Sequence, residues 1–152
     1  MKKIGVLAKL TLLALGFLML SGNVFSQSKI PVTTIKNEWN LFQEVQGIKF
    51  FSKKEIHTAE GGPLDVEYVI VKLENTTDKD LTVAYSLAVH YNMGCNGCSS
   101  REYYKTLTIP AHSSIEGNPS NGRSPLSELL INHNQKNGWN PLYISTENLI
   151  IK

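Results

Sequence analysis

The chain has 152 residues, of which 15 are basic and 13 acidic, for a formal net charge of +2. Residues 1–26 contain three of the lysines and no acidic residue, so residues 27–152 hold 12 basic and 13 acidic side chains. Nucleic-acid binding depends on a basic surface that neutralises phosphates, and a slightly acidic domain argues against that class. The two cysteines are too few for a fold built on disulfides.

Residues 1–26 have the organisation of a cleavable signal peptide. Lysines at the start precede an apolar stretch, residues 10–20, that is eleven residues long. A membrane-spanning helix needs roughly 20 residues, so this stretch is too short to be an anchor. Ser26 fits the small-residue rule for cleavage just after it. The sequence therefore predicts a periplasmic or extracellular protein, with residues 27–152 as one domain that has no membrane span after cleavage.

Alternating apolar and polar residues predict β-strands along the rest of the chain. In chain order the predicted strands lie in residues 39–51 (one or two strands around Gly47), 64–74, 81–91, 103–109, 142–144 and 149–151. Residues 81–91 show the strongest pattern, because every second side chain is apolar and the others are small or polar. The polar segment 75–80 has turn chemistry, so the strands on either side of it are predicted to form a hairpin.

Short strands separated by turns, with almost no helical pattern, predict an all-β fold. The favoured architecture is an antiparallel, immunoglobulin-like β-sandwich, and the alternative is a small β-barrel. One segment departs from the pattern, because Ser124 and Pro125 resemble a helix start and leucines follow at helical spacing. Two alternatives are left open for residues 124–131: one short helix, or a further strand.

The segment after the strongest predicted strand contains a C-x-x-C motif. Cys95 and Cys98 enclose Asn96-Gly97, a pair typical of tight turns that bring two sulfur atoms together. Disulfides form and persist where exported proteins function, so a structural disulfide is the first prediction. A loop this short stabilises a fold only slightly, so such a bond would mainly make the strand connection rigid.

A thiol-redox centre is the second interpretation of this motif. Thioredoxin-like centres place C-x-x-C at the start of a helix, whose dipole favours the reactive thiolate. Here the motif leads into another predicted strand, and no βαβ pattern surrounds it. That class of redox centre is therefore disfavoured.

A metal site is the third interpretation. The candidate ligands are Cys95, Cys98, His90 and Met93. Thiolate and thioether groups suit Cu(I), and M-x-C-x-x-C resembles the motif of heavy-metal-associated copper carriers, but the amphipathic helix of those carriers is missing. A zinc site needs four ligands, or three and a water, and His57, His112 and His133 lack zinc-ligand spacing.

Signatures of other enzyme classes are absent from the sequence. It contains no G-x-S-x-G, H-E-x-x-H, P-loop or dinucleotide-binding motif, and the chain is predicted to have no catalytic residues and no cofactor. Four aromatic residues are candidates for a sugar-binding platform, although core packing is the favoured role for most of them. They are Trp39, Trp139, Tyr103 and Tyr104.

Several short segments resemble a family of small exported proteins of Bacteroidetes that has no known activity. The segments are the leader ending in FSQ, EYVIVK at 67–72, NTT at 75–77, the strand with C-x-x-C at 87–98, EY at 102–103 and EGN at 116–118. The resemblance covers about residues 45–120. It implies export and a sandwich fold, and it implies nothing catalytic.

The leading functional prediction is a non-catalytic, exported binding or structural domain that recognises a protein or a glycan. It depends on the predicted compartment and on the absence of an assembled catalytic motif. The alternative is a thiol-redox or soft-metal-handling protein that uses the loop with Met93, Cys95 and Cys98.

Overall fold

The computed structural model describes residues 28–58, 65–98, 103–119, 126–130 and 138–152. The predicted signal peptide, residues 1–26, lies outside the described residues. In chain order the strands are β1 (Lys29–Pro31), β2 (Asn40–Val45), β3 (Ile48–Thr58), β4 (Asp65–Asn75), β5 (Leu81–Tyr91), β6 (Gly94–Asn96), β7 (Tyr104–Ile109), β8 (Ser114–Glu116), β9 (Ser127–Leu130) and β10 (Pro141–Ile151). The described ranges contain one helical turn, Val32–Thr34, and no helix in them has the length and hydropathy to cross a membrane.

The described strands form two antiparallel sheets that pack face to face. In sheet A, β10 lies between β1 and β5, and the other edge of β5 is shared by β7 and β6. In sheet B, β3 lies between β2 and β4, and the outer edge of β4 is shared by β9 and β8. The predicted all-β sandwich is confirmed, and the described strands do not close into the alternative barrel.

The core lies between the two sheets and consists of the inward positions of the long strands. From sheet B it receives Ile48, Phe50, Val69, Val71 and Leu73, and from sheet A Val83, Tyr85, Leu87, Val89 and Ile144. All of these side chains are fully or almost fully buried. Because successive residues of a strand point to opposite faces, the residues between them lie on the outer faces of the sandwich. This alternation places His90 on the outer face of sheet A.

The predicted hairpin between β4 and β5 is wrong, because the two strands belong to different sheets. Asn75, at the end of β4, is buried and holds the crossover in place. Its Nδ2 donates to the carbonyl oxygens of Lys79 at 2.7 Å, Ile109 at 3.0 Å and Pro110 at 3.2 Å. Its Oδ1 accepts from the backbone N–H of Thr77 at 3.0 Å. Turn residues predict that the chain reverses, but not which sheet it joins next.

The helical alternative for residues 124–131 is also wrong. Residues 127–130 form β9, which pairs with β4 between Glu67 and Ile70. Leu126 and Leu130 are buried in the core. The predicted helix start at residues 124–125 lies outside the described residues.

Two other predicted features agree with the structure. Gln46 and Gly47 join β2 to β3 with φ values of 49° and 79°, which is the geometry of a tight hairpin turn. The two predicted closing segments form one strand, β10, whose pairing with β5 shifts register between Glu147 and Ile150. Asn148, at this shift, has a positive φ of 53°, and the irregularity lies directly after Glu147.

Candidate functional site

The C-x-x-C motif lies at the edge of sheet A, where β5 turns back into β6. His90 pairs with Cys95 across this hairpin, so the two side chains lie on the same face of the sheet. Cys95 and Cys98 are bonded through their sulfur atoms, with Cα atoms 5.9 Å apart. Cys95 is exposed and Cys98 half-buried. The pairing is the one that the sequence predicts.

Gly97 sets the path of the chain between the two cysteines. It is buried, its φ is +91°, and a methyl group placed on it would lie 2.6 Å from the carbonyl oxygen of Leu87. Residues that have a side chain rarely adopt a positive φ, and 2.6 Å is too short a distance between a carbon atom and a carbonyl oxygen. Only glycine lets the loop approach β5 closely enough to place Cys98 beside His90.

The imidazole of His90 contacts both sulfur atoms of the disulfide. Its Nε2 lies 3.5 Å from Cys98 Sγ and 3.8 Å from Cys95 Sγ, and its Nδ1 lies 3.8 Å from Cys98 Sγ. The ligand atoms of the three residues all lie within 4.8 Å of one another. The structure therefore brings together three of the four metal-ligand candidates predicted from the sequence.

Two residues of β10 orient His90. Ser145 Oγ lies 2.9 Å from His90 Nε2 and donates its hydrogen to Glu147 Oε1 at 2.6 Å. Because that hydroxyl has one hydrogen, it can only accept from His90, so the Nε2 atom of His90 carries a hydrogen. The Glu147 carboxylate also lies 3.6 Å from Nε2. In the neutral imidazole, the lone pair is then on Nδ1, which lies 3.8 Å from Cys98 Sγ.

An aromatic ring fixes the plane of the imidazole. Tyr143, two residues before Ser145, stacks on His90 with ring centroids 4.1 Å apart and 16° between the planes. Lys29 Nζ lies 5.1 Å from the centroid of the same Tyr143 ring. We refer to Cys95, Cys98, His90, Tyr143, Ser145 and Glu147 as the His90 cluster.

Burial differs sharply across the His90 cluster. Ser145 is 0% exposed, and the side chains of His90 and Glu147 are 18% and 13% exposed. Cys95 is the exposed cysteine of the pair, and Cys98 is half-buried. Such a layout suits chemistry in which an incoming group meets Cys95 while Cys98 and His90 stay partly shielded.

Three of the remaining sequence candidates, Met93, His57 and His112, are not part of the His90 cluster. Met93 is in the turn between β5 and β6, and its side chain is 62% exposed. His57 contacts Glu55 at 3.0 Å on β3, and His112 contacts Asp78 at 2.7 Å. His133 lies outside the described residues.

The four aromatic candidates for a sugar platform do not form one surface. Trp139 packs against Tyr91 of sheet A, with ring centroids 5.4 Å apart, and Tyr104 begins β7 of the same sheet. Trp39 lies against sheet B, under the Nζ atoms of Lys53 at 4.8 Å and Lys72 at 5.1 Å.

The cluster residues that sequence reasoning missed come from β10. Tyr143, Ser145 and Glu147 occupy alternate positions, so they share one face of the strand. Their alternation with buried Ile144 is visible in the sequence. Their partner is not, because only the pairing of β10 with β5 brings them to His90.

A second group of titratable side chains lies between the sheets. Glu128 of β9 pairs with the buried Val69, so it points inward. Burial raises the pKa of Glu128 to about 7, against the opposing effect of Lys105. Burial is the larger cause that raises the pKa of Tyr85 far above its usual range, and the charge of Glu128 is the smaller one. The Tyr85 hydroxyl has no hydrogen-bond partner among the described residues.

Comparison of the chain with protein-family models, curated proteins and solved structures found no match.

Proposed function

We propose that this chain is an exported protein whose His90 cluster carries out thiol–disulfide exchange. The sequence favours a non-catalytic binding domain and ranks a thiol-redox centre second. The observation that supports the second is the contact of His90 with both sulfurs, 3.5 Å from Cys98 and 3.8 Å from Cys95. A disulfide that serves only as a structural link does not need an oriented imidazole beside it.

The proposed reaction begins at Cys95. A substrate thiolate attacks its Sγ and forms a new sulfur–sulfur bond, while the bond to Cys98 breaks and its electron pair passes to Cys98 Sγ. A second substrate thiolate attacks the substrate sulfur of this mixed disulfide and releases Cys95 as a thiolate. The substrate thiols lose two electrons, the protein pair gains them, and solvent supplies protons to the protein thiolates.

His90 stabilises the sulfur that leaves. When Nδ1 is protonated, the imidazolium has an N–H donor 3.8 Å from Cys98 Sγ, to which the released thiolate can turn, and its other N–H stays on Ser145, 2.9 Å away. The carboxylate of Glu147, 3.6 Å from Nε2, balances the positive charge. A hydrogen bond to a charged group contributes about 1.5–3 kcal/mol, which corresponds to a rate effect of roughly tenfold or more.

The position of the disulfide also favours its opening. The bond joins residues three positions apart, and a closed loop of that size contributes only about 2 kcal/mol on the chain-entropy model. The strands on either side of the bond along the chain, β6 and β7, both pair with β5 through backbone hydrogen bonds that do not involve the sulfurs. Reduction therefore need not unfold the domain.

The test is reduction of the folded chain by glutathione, followed by trapping of free thiols with an alkylating reagent and mass measurement. We expect both thiols to appear while the circular-dichroism spectrum of the sheets is unchanged. The variant His90→Phe keeps an aromatic ring on Tyr143 and removes both nitrogens, so exchange should slow about tenfold. The matched control is His112→Phe, because His112 is an exposed histidine that contacts Asp78 and is not part of the His90 cluster. A disulfide that opens only when the chain unfolds contradicts the proposal.

A second candidate function is binding of an acidic glycan on the outer face of sheet B. Lys72 Nζ lies 5.1 Å from the Trp39 ring centroid and 4.5 Å from that of Phe51, and Lys53 Nζ lies 4.8 Å from Trp39. Aromatic faces stack on sugar rings, and the two ammonium groups provide partners for carboxylate or sulfate. Leu41, 51% exposed, extends the apolar area.

Tryptophan fluorescence tests this second candidate. An acidic polysaccharide should change the emission of the chain in a saturable way, and a neutral polysaccharide of similar length should not. Lys72→Met should weaken binding, whereas Lys36→Met, at an exposed lysine paired with Glu38, should leave it unchanged. Equal responses to both polysaccharides exclude the site.

A further inference from the structure

We propose that the reduced Cys95–Cys98 pair and His90 form a binding site for one Zn²⁺ ion. The inference depends on the proposed function, because the disulfide must open before the thiolates can bind a metal. Its starting point is the convergence of two sulfur atoms and a ring nitrogen within 4.8 Å of one another. Two thiolates and a neutral imidazole are the ligand types that zinc prefers in proteins.

The separation of His90 Nδ1 from the Cys98 sulfur is already close to that of a tetrahedral site. With Zn–S of about 2.3 Å and Zn–N of about 2.0–2.1 Å, tetrahedral geometry separates sulfur from nitrogen by roughly 3.5–3.6 Å and the sulfurs by roughly 3.8 Å. Nδ1 lies 3.8 Å from Cys98 Sγ, and the ligand atoms of the three residues lie within 4.8 Å of one another. The sulfurs must separate and turn toward the lone pair of Nδ1, and both cysteine side chains are free to rotate once their bond is broken. The C-x-x-C spacing is itself common in zinc sites.

The hydrogen bonds of His90 select the nitrogen that binds the ion. Nε2 donates to Ser145, which donates to Glu147, so the lone pair left for an ion is that of Nδ1, which lies 3.8 Å from Cys98 Sγ. Histidine ligands of zinc commonly donate their other N–H to a carboxylate, a carbonyl or a water, which fixes the tautomer and makes the ligand more basic. The chain from His90 through Ser145 to Glu147 provides this support.

Three protein ligands leave one position of a tetrahedral zinc ion for water or for a group from another molecule. Cys95 is exposed, so the open position is accessible from solvent. Met93 is not needed as a ligand, in agreement with its exposure in the turn.

The redox state of the cysteine pair would then control metal binding. A small-molecule disulfide that oxidises the dithiolate accepts two electrons and becomes two thiolates, while Cys95 and Cys98 form their bond. The ion loses two of its three protein ligands in this step and is released. Reduction by two thiols restores the site.

The experiment uses the purified chain reduced with a non-chelating phosphine, with free thiols counted on the same sample before zinc is added. A competing chromophoric chelator then reports stoichiometry and affinity, and Co²⁺ in place of Zn²⁺ reports sulfur ligation by a thiolate-to-metal charge-transfer band. We expect one ion per reduced chain, none per oxidised chain and none for Cys98→Ser. Ser145→Ala should weaken binding about 10–100-fold by removing the support of the ligand. His112→Phe should bind as the parent does.

The two proposals fail in different ways. If no thiols are released from the folded chain, the exchange function fails and the zinc site fails with it. If two thiols are counted but the reduced chain binds zinc no more tightly than Cys98→Ser, the zinc site alone is excluded. If His90→Phe binds zinc as well as the parent, two thiolates without the imidazole hold the ion, and the proposed ligand set is wrong.

Discussion

The imidazole of His90 and the phenol of Tyr143 lie nearly parallel, with their centroids 4.1 Å apart and 16° between their planes. The two residues are directly paired across β5 and β10. Their contact is therefore a cross-strand pair of the kind that stabilises an antiparallel sheet, and it also determines where the nitrogens of His90 point.

We predict that Tyr143→Ala both destabilises the domain and slows thiol exchange. Loss of the stacked pair should lower the free energy of unfolding by about 0.5–1.5 kcal/mol beyond the effect of lost apolar burial. The freed imidazole can then turn away from the sulfurs. Urea unfolding and the rate of glutathione reduction measure the two effects. Tyr143→Phe retains the ring and is the control. An exchange rate that is the same in Tyr143→Ala and Tyr143→Phe would show that the stack does not position His90.

The loop between the cysteines should tolerate no side chain at Gly97. In Gly97→Ala the new methyl group meets the Leu87 carbonyl oxygen and the Cα atom of Ala88, and the positive φ adds about 1–2 kcal/mol of strain. We expect the loop to move away from β5 and the contact of Cys98 with His90 to be lost. Mass mapping of the disulfide and thermal unfolding check this. Asn96→Ala, at the last residue of β6, is the control and should have a smaller effect on stability. A Gly97→Ala chain as stable as the parent would contradict the close approach of the loop to β5.

Asn75 should be among the most sensitive polar positions of the chain. Asn75→Ala removes the donor shared by three carbonyl oxygens and the acceptor of the Thr77 N–H. Each buried group left without a partner costs about 1–3 kcal/mol, so we expect a loss of about 3 kcal/mol in the free energy of unfolding. Chemical denaturation measures it. Thr34→Ala removes one exposed hydrogen bond and should cost less than about 1 kcal/mol. Similar losses in both variants would show that the crossover does not depend on Asn75.

The stability of the domain should fall as the pH rises through neutrality, because of Glu128. Its pKa is raised from 4.5 to about 7 in the folded chain, so the folded state binds more protons than the unfolded state between these values. The contribution of Glu128 to the free energy of unfolding therefore decreases across this window and is constant on either side of it.

Glu128→Gln tests this pH dependence. After allowance for partial exposure, the ionised Glu128 carboxylate lowers the free energy of unfolding above pH 7 by about 2 kcal/mol. The variant should be more stable than the parent by that amount at pH 8 and equal to it at pH 4. Urea denaturation at both pH values measures the difference. Glu38→Gln, an exposed carboxylate, is the matched control. A difference that does not change with pH would show that Glu128 is not held in its neutral form.

Strand alternation predicted β4 and β5 because the inward positions at their centres, such as Val69, Val71 and Val83, are apolar. It predicted only part of β3, whose inward positions after Phe50 include Ser52 and Lys54, and only two separate segments of β10. It also placed His90 on the face opposite Val89 and Tyr91, where the structure has it. Alternation failed for β9, because one of its inward positions is Glu128. A charged residue at an inward position breaks the alternation of apolar and polar residues. The remaining pattern, the spacing of the leucines, is also that of a helical turn.

The rest of the site could not be predicted, because alternation specifies a face and not a neighbour. Ser145 and His90 are 55 positions apart in the chain. Their contact exists because β10 joins β5, and no local feature of either segment specifies that pairing. The hairpin predicted between β4 and β5 is wrong for the same reason: the turn is local, whereas the choice of sheet depends on the whole core.

The disulfide and the residues that surround it have different requirements during folding. Cys95 and Cys98 are three positions apart, so their bond can form in a short stretch of chain with no sheet present. Tyr143, Ser145 and Glu147 come from β10, and contacts between distant segments form slowly. A newly made chain can therefore contain the Cys95–Cys98 disulfide before the sheet has formed, and this disulfide has ordinary reactivity. The oriented imidazole of His90 is added only when β10 pairs with β5. The rate at which an added thiol attacks the Cys95 sulfur therefore shows whether β10 has paired with β5 at the centre of sheet A.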